Sequence, residues 1–273
     1  MLCKKLYLVC ILFVLIVVAF LNDHFRIYSI NFVRPSKGDI SVLCYNVHSL
    51  GSNFEKDAPD IAKLITESNT DFIYLTEYYE ANGDTIDAML SKHYPHTFTK
   101  HRWGMNEGDV FYSKWHIDSV ARFCVNGKRI MAYRVQVSCR TDTIALYCCH
   151  LASNNVNSQI TTRASIKNGY HNRILETKEI LKHIKADKYP SIIMGDMNDV
   201  SGSHTLNSFE NAGFEDAWWK GGMGYGSTFH SRRLNLRIDH ILYDKYFRLT
   251  GVRVLRADYS DHDALFASFN WKR

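Results

Sequence analysis

Short apolar segments that end in polar side chains are the feature that most constrains how this chain can fold. Eight polar residues lie at the ends of such segments: Asn46, Glu77, His150, Asp196, Asn198, Asp239, Asp261 and His262. In α/β sheets, ligands bind where the carboxyl ends of the strands meet. The sequence therefore predicts one polar site at the rim of a strand-rich scaffold.

The periodicity of apolar residues predicts alternating strands and helices. A strand at residues 40–45, a helix at 54–68 and a strand at 71–76 form a β-α-β beginning. Four strands follow at residues 109–113, 119–124, 130–138 and 143–149. The remaining elements are a helix at 170–184, a strand at 191–195, a short helix at 203–212 and strands at 237–243, 249–255 and 264–269. This order predicts an α/β fold with two sheets face to face and helices outside, in one domain at residues 38–273.

The N-terminus carries an unbroken apolar stretch at residues 6–21, preceded by Lys4 and Lys5. It predicts one transmembrane helix within residues 1–24 and a juxtamembrane segment at 25–37, although a crossing needs about 20 residues. A cleaved signal peptide is the alternative, and bulky residues around the candidate cleavage site favour an uncleaved anchor. Because basic residues stay cytoplasmic, the domain is expected on the non-cytoplasmic side, periplasmic or extracellular.

Charge and cysteine content narrow the function classes. A net charge of +5 favours anionic substrates but does not form the concentrated basic stripe of a dedicated nucleic-acid binder. The spacing of the seven cysteines indicates no zinc site. Cys124 and Cys139 flank a predicted hairpin and could pair in an oxidising compartment, which the sequence leaves open.

Each polar residue, taken singly, has an ordinary structural explanation, such as a turn for Asn46 or a helix N-terminus for Glu77. The ordered set is more specific. Its elements are Tyr45-Asn46-Val47-His48, Leu75-Thr76-Glu77, Tyr112-Ser113-Lys114, Cys149-His150-Leu151, Gly195-Asp196-Met197-Asn198, Arg237-Ile238-Asp239-His240 and Ser260-Asp261-His262-Asp263. In this order the chain resembles the endonuclease/exonuclease/phosphatase superfamily, over residues 40–269.

The resemblance implies a four-layer α/β/β/α sandwich like that of DNase I, which hydrolyses phosphoester bonds with a divalent metal ion. Glu77 matches the principal metal ligand of the superfamily. Together with Asp261 and Asn46 it offers the hard oxygen ligands that Mg²⁺ or Mn²⁺ prefers. Whether one metal or two act stays open.

The other roles follow from the same resemblance and from side-chain chemistry. Asp196 matches the residue that orients or deprotonates the attacking water. His262, oriented by Asp239, would hold phosphate or assist proton transfer. His150 and Asn198 would stabilise charge on the phosphoryl oxygens. The predicted substrate contacts are Asn46, Arg173 and Arg237, and a solvated basic loop is the alternative interpretation of Arg237.

The substrate stays open between nucleic acid, a phospholipid headgroup and a small phosphoester, because members of the superfamily share the catalytic set and differ in their loops. The sequence indicates no obligate protein partner. The alternative from another class is a membrane-tethered protein that binds a phosphate ligand through a decayed catalytic site. Retention of every metal and acid–base candidate counts against this alternative.

Overall fold

The computed structural model describes residues 2–48, 54–101, 107–125, 127, 130–154, 162–231 and 234–272. Within these residues, twelve strands form two six-stranded sheets. The first sheet contains, in spatial order, β13 (Phe247–Leu255), β14 (Ala264–Trp271), β1 (Ile40–Asn46), β2 (Phe72–Tyr79), β4 (Glu107–Ser113) and β3 (His96–His101). Its β1–β2 pair is parallel and its other pairs are antiparallel.

The second sheet is built in the same way around a parallel pair. In spatial order it contains β5 (His116–Cys124), β6 (Ile130–Cys139), β7 (Asp142–His150), β8 (Ser191–Asp196), β12 (Asp239–Tyr243) and β9 (Glu215–Asp216). The β7–β8 pair is parallel. Two further short strands, β10 (Phe229–His230) and β11 (Asn235–Leu236), pair with each other in a separate two-stranded antiparallel sheet. Both sheets are therefore mixed, and each has its parallel pair near the centre.

Helices cover the outer faces of the sheets. The helices after the N-terminal one are α2 (Phe54–Ser68), α3 (Glu80–Leu90), α4 (Arg163–Ala186), α5 (His204–Asn211) and α6 (Ala217–Gly221). Leu43 packs with Ile61 of α2, whereas its neighbour Cys44 belongs to the core between the sheets. On the other side, Ile193 packs with Ile180 of α4. Because successive side chains of a strand point to opposite faces, apolar packing on both faces confirms the predicted order of two sheets with helices outside.

The N-terminal segment forms the helix α1 (Leu2–Phe25). The sequence predicts that this helix crosses a membrane, but among the described residues no helix has both the length and the apolar character that a crossing requires. The predicted juxtamembrane segment is bonded to the domain. Three of its backbone N–H groups donate hydrogen bonds of 3.0 Å, Ser29 N to Gly224 O, Val33 N to Gly221 O and Ser36 N to Thr250 O, and Ser29 O accepts one of 2.8 Å from Gly224 N.

Some local predictions need correction. Helix α4 begins at Arg163 instead of residue 170, because Thr162 caps it by accepting a hydrogen bond from Ser165 N. The sequence did not predict α3 and β3. Cys124 and Cys139 are both free, since they lie at opposite ends of the β5–β6 hairpin, where Cys124 pairs with Ile130.

Candidate active site

The strand register brings the predicted polar residues to one rim. In the second sheet, His150 pairs with Asp196 across the parallel β7–β8 ladder, and Asp239 pairs with Asp196 across the antiparallel β8–β12 ladder. In the first sheet, Asn46 pairs with Thr76, the residue before Glu77. Residues far apart in the sequence therefore become neighbours because the strands end together.

Unusual backbone conformations turn several of these side chains. Glu77 has φ +57° at a register shift in the β2–β4 pairing, and Asn198 has φ +49°. Gly195 has φ +129°, and a Cβ there would collide with the backbone carbonyl of Cys149. Left-handed backbone in non-glycine residues costs free energy and clusters at functional sites. A bulge re-aims a side chain out of the regular pleat, which suits a ligand-facing residue.

Glu77 lies at the centre of one half of the site. Its Oε1 accepts a 3.0 Å hydrogen bond from Asn46 Nδ2 and lies 3.7 Å from His150 Nε2. His48 Nδ1 lies 3.4 Å from Glu77 Oε2 and 3.7 Å from Asp261 Oδ1. Burial opposes ionisation of Glu77, but the nearby His48 side chain and the hydrogen bond from Asn46 outweigh it and lower its pKa to about 2. Glu77 is therefore a carboxylate at neutral pH, ready to bind a cation.

Asp196 lies at the centre of the other half. Its Oδ1 accepts a 2.7 Å hydrogen bond from Asn198 N, and its Oδ2 accepts a 3.2 Å bond from Asn46 Nδ2. Its pKa is raised by burial and then by the negative charge of Asp239. A carboxylate with a raised pKa is a better proton acceptor near neutral pH than an ordinary aspartate.

His262 and Asp239 form a buried pair. The His262 Nδ1 to Asp239 Oδ2 distance is 2.8 Å, and His262 N donates to Ser260 Oγ at 3.0 Å. Burial lowers the pKa of His262, but the charge and hydrogen bond of Asp239 outweigh this and raise it to about 10. The imidazole is therefore protonated at neutral pH, and its charge lies beside Asp196.

His150 connects the two halves. Its Nε2 lies 3.7 Å from Glu77 Oε1 and 3.9 Å from Asp196 Oδ2, while its Nδ1 lies 3.7 Å from Asp109 Oδ1. Asp109 was missed by the sequence reasoning. The signal was a charged residue directly before the apolar run of β4, where it pairs with Thr76 of β2 and is buried.

Comparison with known proteins identifies the family. The sequence model of the Endonuclease/Exonuclease/phosphatase family matches residues 43–262. The chain belongs to this family. No curated protein matches its sequence.

Solved structures share the fold of this family member at low identity. The 3' phosphatase NExo from Neisseria, bound to product DNA hairpin, is 18% identical with TM-score 0.65, over 85% of this chain and 100% of that one. Truncated TDP2 from Caenorhabditis elegans is 18% identical with TM-score 0.65, over 84% and 96%. A conserved protein of unknown function from Enterococcus faecalis is 15% identical with TM-score 0.66, over 85% and 100%. At these identities the likeness concerns the fold.

Two predicted substrate contacts of this family member lie in other surroundings. Arg173 and Arg237 are each 3% exposed. Arg173 donates to Asp199 Oδ2 at 3.1 Å and to Ala152 O at 2.8 Å. Arg237 donates to Asp216 Oδ2 at 2.8 Å. The structure therefore engages both guanidinium groups with the protein itself and does not gather them with the residues around Glu77 and Asp196.

Two groups of ligands could hold a metal ion in this family member. Glu77 and Asp261 have side chains 26% and 25% exposed, so that bound water could complete the shell of a hard cation. Asp196, Asp239 and His262 offer ligand atoms that all lie within 4.8 Å of one another, and Asp239 Oδ1 is buried without a hydrogen-bond partner among the described residues. A protonated His262 is a poor ligand, which favours Glu77 and Asp261.

Proposed function

We propose that this protein is a divalent-metal-dependent phosphoester hydrolase in which water, activated by Asp196, attacks phosphorus. The observation that carries the proposal is that His150 Nε2 lies within 3.9 Å of a carboxylate oxygen of both Glu77 and Asp196 at the rim. These residues come from strands of both sheets. A decayed site would not be expected to keep carboxylates, amide and histidines in one contact network.

The chemistry of a phosphoester explains why this set of groups is needed. Water meets an anionic phosphorus centre, and the leaving oxygen must take up negative charge. Mg²⁺ or Mn²⁺ held by Glu77 and Asp261, with Asn46 beside them, would neutralise part of that charge when bound. The protein groups then have to place water, take its proton and stabilise the remaining charge.

Asp196 is the general base in this proposal. Its Oδ1 is held by Asn198 N at 2.7 Å, whereas Oδ2 has the longer 3.2 Å bond from Asn46 Nδ2. The Oδ2 atom is therefore the better placed to accept the proton of the attacking water. Burial and the charge of Asp239 raise the pKa of Asp196, which makes its carboxylate a stronger base near neutral pH.

Histidines stabilise the phosphoryl oxygens. The Nδ1–H of His262 donates a hydrogen bond to Asp239 Oδ2, which leaves the Nε2–H to donate to a phosphoryl oxygen. Because its pKa is raised to about 10, the donor carries a full charge at neutral pH. His150 Nε2 lies between Glu77 and Asp196 and can serve the same oxygens. Asn198 uses its side-chain Nδ2 to bond Leu151 O at 3.0 Å, so its contribution here is to position Asp196.

The first experiment tests hydrolysis itself. The full chain is assayed on bis(p-nitrophenyl) phosphate with Mg²⁺ or Mn²⁺, and again after EDTA. Activity should require the metal and should be lost in Glu77→Gln and Asp196→Asn but kept in Glu67→Gln, an exposed glutamate on α2. Inactivity of the folded wild type on phosphoesters, with retained binding of inorganic phosphate, would instead favour a phosphate-binding protein.

The second experiment sorts the substrate classes. Nucleic acid is proposed first, because one structural relative is a 3' phosphatase bound to a DNA hairpin. The assay compares single-stranded DNA, RNA, 3'-phosphorylated DNA hairpins and phospholipid vesicles at equal phosphoester concentration. Faster turnover of the vesicles would move the proposal to lipid headgroups.

We also propose that α1 attaches the protein to a membrane, with the catalytic domain on the non-cytoplasmic side. Support comes from its apolar side chains, since Leu12, Phe13 and Phe20 are 60%, 67% and 68% exposed. Lys4 and Lys5 precede them in the sequence. Fractionation of cells that express the full chain should place it with membranes, resistant to carbonate and open to external protease. Recovery in the soluble fraction would contradict this location.

A further inference from the structure

His48 is a residue of the rim to which the mechanism above assigns no role. It lies two residues after the end of β1 and has φ +41°. Its backbone N–H donates to Asn46 Oδ1 at 3.0 Å, which turns the Nδ2 of Asn46 towards Glu77 and Asp196. The imidazole is 59% exposed, yet its Nδ1 faces inward to two carboxylates. An exposed histidine in left-handed backbone, aimed at two acids, requires an explanation.

The distances around His48 fit ligands better than direct hydrogen bonds. Nδ1 lies 3.4 Å from Glu77 Oε2 and 3.7 Å from Asp261 Oδ1. A hydrogen bond between nitrogen and oxygen is usually about 2.9 Å long. Neighbouring ligands of an octahedral ion with bonds of about 2.1 Å lie roughly 3.0 Å apart. The distances from His48 Nδ1 to the two carboxylate oxygens would therefore need only a small contraction for a shared cation.

We propose that His48 is a nitrogen ligand of the catalytic cation and completes a Glu77, Asp261 and His48 set. The inference rests on the proposed function, because it takes the cation to lie at Glu77 and Asp261. Imidazole nitrogen binds borderline transition ions better than Mg²⁺, which prefers oxygen. The site is therefore tuned towards Mn²⁺ or a similar ion, and Mg²⁺ binds it more weakly.

The test uses Mn²⁺ alone as the probe of the full-length protein. Pulsed EPR of bound Mn²⁺ reports a directly coordinated ¹⁴N nucleus, and calorimetry gives the affinities for Mn²⁺ and Mg²⁺. The wild type and the control His93→Gln, an exposed histidine away from the rim, should show the ¹⁴N coupling. His48→Gln should lose it, and its affinity for Mn²⁺ should fall roughly tenfold or more.

A second variant separates ligation from folding. His48→Asp replaces nitrogen by oxygen at the same place, so it should bind metal without the ¹⁴N coupling and shift the preference towards Mg²⁺. Circular dichroism and thermal unfolding of each variant check that the fold is kept. Equal Mn²⁺ to Mg²⁺ preference in His48→Asp and the wild type would count against the inference.

Other outcomes overturn it directly. Absence of ¹⁴N coupling in the wild type, or no binding of Mn²⁺, excludes His48 as a ligand. Coupling that persists in His48→Gln but disappears in His262→Gln would place the ion at Asp196, Asp239 and His262 instead. Hydrolysis of bis(p-nitrophenyl) phosphate with Mg²⁺, measured in parallel, shows whether the proposed function stands in each case.

Discussion

The carboxylates of the active-site rim and those of the buried cluster behind it have different ion-pair partners. The buried cluster consists of Arg173, Asp199, Asp216, Arg237 and His240, where each carboxylate bonds an arginine. At the rim, within the described residues, the ion-pair partners of the carboxylates are histidines. Arginine is a permanent cation, whereas histidine is not. Glu77 and Asp261 of the rim therefore lack the permanent counter-ion that each carboxylate of the buried cluster has, and they can bind a cation.

The pKa values of two buried aspartates show the same contrast. Burial raises the pKa of both. For Asp216 the charge of Arg237 reverses this and lowers the pKa well below its usual range. For Asp196 the neighbouring charge of Asp239 raises the pKa further. The charge of the neighbouring group thus distinguishes an aspartate that stabilises the fold from one whose pKa suits proton transfer.

Asp196→Asn should have the largest effect on activity and tests the role assigned to the rim. The value of kcat/KM should fall about 10²–10⁴-fold, because the general base is lost. The free energy of unfolding at pH 7 should stay the same or rise, since a folded pKa above the unfolded one means that ionised Asp196 costs stability. Steady-state kinetics and urea unfolding measure the two quantities. Marked loss of stability would mean that Asp196 belongs with the buried cluster.

Asp216→Asn should lower the stability of the fold and leave KM unchanged. It leaves Arg237 buried without a counter-ion, which costs about 3–5 kcal/mol of unfolding free energy. Urea unfolding of this variant beside wild type gives the difference at pH 7. Any activity that remains should show an ordinary KM, since within the described part of the chain the Asp216 side chain bonds to Trp218, Trp219, Arg237 and His240.

The pH dependence of the stability difference between wild type and Asp216→Asn tests whether the charge of Asp216 provides that stability. The folded pKa of Asp216 lies below the unfolded value of about 3.9, so its contribution is complete above that pH. It is lost as pH falls towards the folded pKa. Unfolding curves of wild type and Asp216→Asn should therefore converge below about pH 4. A constant gap down to low pH would assign the stability to shape instead of charge.

Asp239→Asn should have a smaller effect on activity, about 10–100-fold in kcat/KM, as for other carboxylates that orient a functional histidine. It also removes the charge that raises the pKa of His262 to about 10. His262 is protonated below that pKa, so the alkaline limb of the pH profile should move to lower pH in the variant. An unmoved limb would show that His262 is not the titrating donor.

Glu67→Ala should have the smallest effect. Glu67 and Lys63 form a 3.9 Å pair on α2 with side chains 68% and 69% exposed. Exposed pairs of this kind contribute about 0.5 kcal/mol or less to unfolding free energy. Thermal unfolding in low and high salt gives the value. A loss as large as that of Asp216→Asn would undo the distinction between buried and exposed pairs.

Elements with strong periodicity were predicted correctly from the sequence, and weak ones were not. Helix α2 begins and ends at the predicted residues, because its apolar positions such as Ile61 and Ile65 recur at helical spacing. Helix α3 contains Asn82 and Gly83, which disfavour helix, and was missed. Tertiary contacts with α2 and the first sheet stabilise it in spite of that local preference.

The sequence by itself determined which chemical groups are present and that each stands at a strand end, because both are local properties of the chain. The motif order predicted that Asp239 lies beside His262, and the structure has them in contact. Only the tertiary structure showed that Asp216 lies against Arg237 and His240, because no local pattern marks Asp216. The strength of an electrostatic interaction depends on distance and burial in space. Neither can be obtained from the order of residues alone.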